Sequence, residues 1–336
     1  MKRFLLIFTI LILCSAFVFG GGQGQGSGGS QKPIVLKLSN HTSVDAAQSV
    51  GVLAASEAIR KSTNGRVDLQ LYHSGQLSPQ QSIVVDTQTG QIDMCLAGPS
   101  QMGQVFTPIS ILGAPYIFDS LEHMYAAAES PTVQKLFKDF EKETGLVILD
   151  YWALGARNVS SNVAARTPQE FQPIKMRSAT APMYITAIQC IGAQPTPIAL
   201  NETYLALQTG TVDAQENPLN LILAQKFHEV QKYIIITEHM IDGFAVTING
   251  NVWKSIPSDL QEKIIAGIKE GRKASDKVIL DMDAEAINIF KADGLEIIYP
   301  DKTPFIQNAL EAARTFERDG SWYPGMFAEI VGMAKK

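Results

Sequence analysis

The chain has 336 residues, 46% of them hydrophobic and 18% charged, with a formal net charge of −5. An acidic protein of this kind is a poor partner for polyanions, which excludes nucleic acid as a partner on charge. Three cysteines with no zinc-type spacing supply neither a disulfide scaffold nor a structural metal site.

The N-terminus reads as an export signal. Lys2 and Arg3 precede an apolar run from Phe4 to Phe19, and Val18-Phe19-Gly20 offers a cleavage site. Removing residues 1–20 takes away Lys2 and Arg3 and no acids, which moves the formal charge from −5 to −7. Residues 21–32, rich in Gly, Gln and Ser, read as a flexible tether. Lipidation at Cys14 is the alternative, disfavoured because Leu13 is large for the position before an acylated cysteine. About 300 mature residues exceed one ordinary domain and fit two lobes.

In the mature chain, Pro33 to Leu38 reads as a strand, Val44 to Ser62 as a helix closed by Asn64-Gly65, and Arg66 to Tyr72 as a second strand. A phrase then occurs that returns 120 positions later. Gln88-Thr89-Gly90-Gln91-Ile92-Asp93 is echoed by Gln208-Thr209-Gly210-Thr211-Val212-Asp213. Each copy reads as a helix, a glycine stop, a short strand and an acid; chance is the alternative, since Thr-Gly turns are common. Leu121 to Thr144 is expected to be helical, and Val147 to Trp152 a strand. A second cycle follows, with Ile174 to Ser178 as strand and Tyr184 to Gly192 as helix ahead of the repeat copy. Tyr233 to Thr237 and Phe244 to Ile248 read as two further strands. Ser258 and Gln261 suggest a capping box that opens a helix running to about Asp293, roughly 50 Å at 1.5 Å per residue and longer than one lobe is wide. Thr303 to Ala334 is helical again.

Motif searches for enzymes fail: there is no phosphate loop, dinucleotide fingerprint, H-E-x-x-H or nucleophile elbow. No two of the five histidines have ligand spacing on one helix face, so no metal site or cofactor is expected. What stands out is a set of polar residues at strand ends. Arg157 lies just past the strand Val147–Trp152, Arg177 ends the strand that opens at Ile174, and Asn217 follows the second repeat strand. A guanidinium in apolar surroundings needs a partner, and its planar fork fits a carboxylate. For each arginine alone, an internal salt bridge is the ordinary explanation; together the three residues describe an anion seat.

At these residues the chain resembles the periplasmic solute-binding proteins of tripartite ATP-independent periplasmic (TRAP) transporters, the DctP family. The densest stretch runs from Pro195 through Glu202-Thr203-Tyr204-Leu205-Ala206-Leu207-Gln208 to Gln215-Glu216-Asn217-Pro218, with Ala214 where the family pattern has Gly. Thr63-Asn64-Gly65-Arg66, Gln76-Leu77 and Pro115-Tyr116-x-Phe118 are similar to its first-lobe motifs.

The resemblance implies an α/β, two-lobed periplasmic binding protein of type II-like form, with a central cleft and a long helix spanning both lobes. The lobes are expected at 33–154 with 243–282, and at 155–242 with 283–336. Arg177 is implied as the carboxylate clamp, with Arg157 and Asn217 completing the shell and Leu200 as ligand wall. Asn40 and His41 are implied at the ligand's far end, and Ala97, with Met94 and Ser100, as lesser positions of the first-lobe wall. Gln80 and Gly98 stand where the sialate-binding branch carries acids, which argues against sialic acid. The implied function is capture of a uronate, another sugar acid or a C4–C6 dicarboxylate, and its delivery to small and large membrane subunits by a monomeric periplasmic protein. A secreted enzyme using the same cleft is the alternative.

Overall fold

The computed structural model describes residues 32–334; the expected signal segment, Cys14 and nearly all of the tether lie outside the described residues. The strands are β1 (Ile34–Ser39), β2 (Val67–Tyr72), β3 (Met94–Ala97), β4 (Leu146–Ser161), β5 (Lys175–Ser178), β6 (Gln194–Pro197), β7 (Ala214–Pro218), β8 (Tyr233–Asn249) and β9 (Glu296–Ile298). They form one sheet in the order β2-β1-β3-β8-β4-β7-β5-β6, with β9 beside β8. Outer strands on each side are parallel, β1 with β2 and β3, and β5 with β6 and β7. The central pair β4–β8 is antiparallel and runs from Leu146 opposite Asn249 to Ser161 opposite Tyr233.

That central pair corrects two expectations. Val147–Trp152 is only the first half of a 16-residue strand, and the two separate strands expected in 233–248 are one strand of 17 residues. Polar residues in mid-strand hid the continuity. Gly155 has φ +119 and sits at a register shift between Ala153 and Gly155, so the strand absorbs it as a bulge instead of ending there. Arg157 and Asn217 are consequently inside strands, paired into the sheet, and not in the loops beyond them.

The repeated phrase is a repeated structure. Helices Ile83–Gln88 and Thr203–Gln208 both run into glycines with positive φ, +80 at Gly90 and +70 at Gly210. Each acid then serves the neighbouring parallel strand: the Lys37 amide donates to the Asp93 carboxylate at 2.9 Å, and the Lys175 amide to that of Asp213 at 3.0 Å. The match places Ala97 at the position equivalent to Asn217. The two copies share the same plan of helix, glycine turn, strand and acid.

The long helix spans Ser258–Ala292. Its cap is Pro257 without a side-chain bond, and Gln261 donates to the Trp253 carbonyl, so the expected capping box does not form. Leu260, Ile264 and Ile268 pack with Leu36 and Leu38 of the first lobe, while Ala286 and Phe290 pack with Ile222 and Phe227 of the second. The helix thus enters both cores, as expected of a spanning element. It meets the helix Ala47–Ser62 backbone to backbone: a Cβ on Gly271 would lie 2.5 Å from the Gly51 carbonyl oxygen.

Two expected helices are interrupted. Leu121–Thr144 breaks at Ser130-Pro131, where Ser130 caps the following helix by accepting from the Val133 amide. Thr303–Ala334 divides into Thr303–Arg318 and Met326–Val331, separated by a turn with Gly320 at φ +81. Trp322, Met326, Phe327 and Ile330 pack with Met124 and Phe140, residues of the segment expected in the first lobe. Among the described residues, no helix is long and apolar enough to cross a membrane.

Candidate ligand-binding site

Between the two halves of the sheet lies a narrow cavity of about 10 Å³. His41, Gln80, Leu154 and Phe244 line it from the first half, and Arg157, Arg177, Tyr184, Leu200, Asn217 and Leu221 from the second. An adjoining chamber of about 210 Å³ shares His41, Gln80 and Leu200 and leads outward past Gln81, Asn201 and Glu202. A larger groove of about 350 Å³ lies elsewhere, beside Tyr125, Asp150 and Arg272. Size does not make it the better candidate, because Arg272 is already paired with Asp150 at 2.9 Å.

The two arginines of the smaller cavity have opposite circumstances. Arg157 is 2% exposed and its fork is filled. Its Nε and Nη2 donate to the two carboxylate oxygens of Glu216, Nη1 donates to Asp242 at 3.1 Å, and Nη2 also reaches the side-chain oxygen of Asn217 at 3.0 Å. The Tyr184 ring lies against it, 4.9 Å from the guanidinium carbon, and the Tyr184 hydroxyl donates to Asp242 at 2.9 Å. Burial opposes ionisation of Glu216, but Arg157 and His239 outweigh it and hold its carboxyl at about 2. Burial raises the carboxyl of Asp242 above its ordinary value, only partly countered by Arg157. The ordinary explanation of a buried arginine therefore applies to Arg157.

It does not apply to Arg177. This side chain is 1% exposed, and its Nε donates to the Ile198 carbonyl at 2.9 Å. Its Nη2 has no partner among the described residues, and no carboxylate pairs with it there. Burial pushes the guanidinium down to about 10; Glu216 offsets part of this, and repulsion from Arg157 adds to it. A buried donor without an acceptor is expensive, and a charged one more so.

The remaining expected residues divide. Leu200 lines both chambers. Asn217 lines the inner one, but its amide oxygen accepts from Arg157 and its nitrogen donates to Gln215 at 2.6 Å. His41 and Gln80 line both chambers, and His41 Nδ1 and Gln80 Oε1 are covered without a partner. Burial, then the positive field of Arg177 and Arg157, holds the His41 imidazole at about 3, so it is neutral and can accept a hydrogen bond.

Asn40 is not in the cavity lining. Its side chain donates to Thr42 and Ser49 and accepts from the Thr42 amide, a knot that shapes the turn presenting His41. Ala97 and Met94 are fully buried in apolar cores, because β3 is covered on both faces. Ser100 packs against Gly113, where a Cβ would lie 2.6 Å from its Oγ. Gly98 also stands back from the cavity: a Cβ there would lie 2.9 Å from the Tyr184 hydroxyl, so its role is to let that ring approach.

A family model described as bacterial extracellular solute-binding protein, family 7 (DctP), matches residues 39–319. The chain belongs to this family. Among its relatives, the sialic acid-binding periplasmic protein SiaP of Vibrio cholerae is 28% identical over 270 residues, covering 80% of this chain and 84% of that protein. The 2,3-diketo-L-gulonate-binding periplasmic protein YiaO of Escherichia coli is 27% identical over 264 residues, covering 78% of this chain and 80% of its own. A TRAP periplasmic solute-binding protein from Roseobacter denitrificans, solved with bound 3-deoxy-D-manno-oct-2-ulosonic acid, superposes with a TM-score of 0.85 at 26% identity, covering 90% of this chain and 100% of that one.

For a DctP-family protein, the unpaired Arg177 and the paired Arg157 are the informative contrast within one cleft. Sequence reading missed Tyr184, Phe244, Leu154 and Leu221, as well as Asp242. Tyr184 begins an apolar helix, and Asp242 lies in a strand segment whose neighbours gave no pattern. Glu216 was quoted only as part of a motif, although its position one residue before Asn217 on β7 puts it opposite Val159, beside Arg157.

Proposed function

We propose that this protein captures a small carboxylate outside the cytoplasm for a TRAP transporter and hands it to the small and large membrane subunits. The observation that carries the reading is Arg177, which lines the cavity, is buried and lacks an acid partner among the described residues, with its Nη2 left without an acceptor. A ligand carboxylate supplies the acceptors that Arg177 lacks. The relatives named for sialic acid and diketogulonate, and the structure solved with an octulosonic acid, share a carboxylate as their common handle.

Closure follows from where the lining residues sit. A ligand held by Arg177 and Leu200 on one side touches His41, Gln80 and Phe244 on the other, so it stabilises the closed arrangement relative to an open one. The hinge is placed at the Gly155 bulge of β4 and the facing part of β8, with the chain end beyond Trp322 moving with the first lobe. Export by an N-terminal signal and action as a monomer complete the proposal. The site residues bind and release; none is assigned to bond breaking.

Differential scanning fluorimetry against a panel of carboxylic acids and their neutral amides tests the proposal. A melting shift with an acid and none with its amide is expected, with the ligand recovered unchanged by mass spectrometry. Turnover of the acid, or equal shifts from acid and amide, would overturn it.

A further inference from the structure

The chemistry around Arg177 restricts the acid further than its charge alone. The inner chamber contains two cations, and one of them, Arg157, already faces Glu216 and Asp242. The outer chamber is lined by no lysine or arginine, and Glu202 stands at its wall. A second carboxylate would find no cation without a partner in either chamber, and on the way out it would meet Glu202.

Hydroxyl groups are also poorly provided for in the inner chamber. Tyr184 is engaged with Asp242, and Asn217 with Arg157 and Gln215. Beyond Arg177, the buried side-chain atoms there without a partner are His41 Nδ1 and Gln80 Oε1. Much of the remaining wall is Leu154, Ala179, Leu200, Leu221 and Phe244. Leu221 is 3% exposed yet belongs to none of the apolar cores; its side chain lies on the cavity.

We infer that the preferred ligand is a compact monocarboxylate with an apolar, branched body and one or two further polar groups, not a dicarboxylate or a polyhydroxylated sugar acid. This rests on the reading of Arg177 as carboxylate clamp. The carboxylate takes Arg177, and a hydroxyl donates to Gln80 or to the neutral His41. The carbon skeleton lies against Leu221, Leu154 and Phe244. An aldonate carries a hydroxyl on every carbon after its carboxylate, and those held in the inner chamber would lose water against leucine with few acceptors in return.

Calorimetric titration of the exported protein, freed of carried-over ligand by unfolding and refolding, tests this with three acid classes of matched length. These are branched 2-hydroxy and 2-oxo acids, linear dicarboxylates, and aldonates. The branched monocarboxylates should bind at least about tenfold tighter than the aldonate of equal length, since one stranded hydroxyl alone is worth about that factor. Leu221→Asn should narrow that gap by weakening the branched acids. If an aldonate or dicarboxylate binds tightest and Arg177→Lys weakens it, the clamp stands and this inference falls. If no acid of any class binds, both fall.

Discussion

Replacing Arg177 by methionine should stabilise the empty protein while removing its affinity for acids. The buried guanidinium is held at about 10 instead of its ordinary 12.5, which corresponds to roughly 3 kcal/mol against the charged form. Methionine fills similar space without that charge. The loss is the hydrogen bond from Nε to the Ile198 carbonyl, worth about 1 kcal/mol. The balance is roughly 2 kcal/mol in favour of the variant, a melting rise on the order of 4 °C for a chain of this size. Arg177→Lys is the companion, keeping the charge but losing the two-pronged fit, and its affinity should fall by about ten- to a hundredfold. Scanning calorimetry without ligand and titration with the best acid read the two effects separately. A methionine variant that melts several degrees lower and still binds would refute the reasoning, because Arg177 would then be a structural arginine.

Arg157→Met should do the reverse: it strands Glu216 and Asp242 in the interior and should cost about 3–5 kcal/mol in urea unfolding. Glu216→Gln added to that variant should recover part of the loss. Because folding keeps His41 neutral down to about 3, the unfolded chain binds its proton first, and empty-state stability should drop as pH falls from about 6.5 towards 3. His41→Gln should flatten that slope in melting curves. The wild type and variant must be compared directly, because Asp283, raised to about 6 by burial, has the opposite sign and is stabilising as pH falls through that value. Gly271→Ala should destabilise by about 1–3 kcal/mol, since its methyl would meet the Gly51 carbonyl, Ala55 and Trp152 where two helix backbones touch; denaturant midpoints measure it.

What the sequence by itself determined was the arrangement that local chemistry encodes. The repeated Thr-Gly turns, the spanning helix that opens after Pro257, and the α/β alternation are set by backbone preferences and apolar spacing within a few residues, and each is where it was expected. Arg177 could be found because an arginine between apolar residues at a strand end is conspicuous wherever it folds. Strand continuity was hidden, because Gly155, Arg157, His239 and Asp242 look like loop residues until long-range partners pair them in the interior. The division of labour between the arginines was hidden for the same reason. Glu216 is 59 positions from Arg157 and Asp242 is 85, and only the sheet brings them together. Whether a buried cation is paired within the protein or left for a ligand depends on distances across strands that no local pattern records, so the tertiary structure alone decided which arginine faces the cavity unpaired.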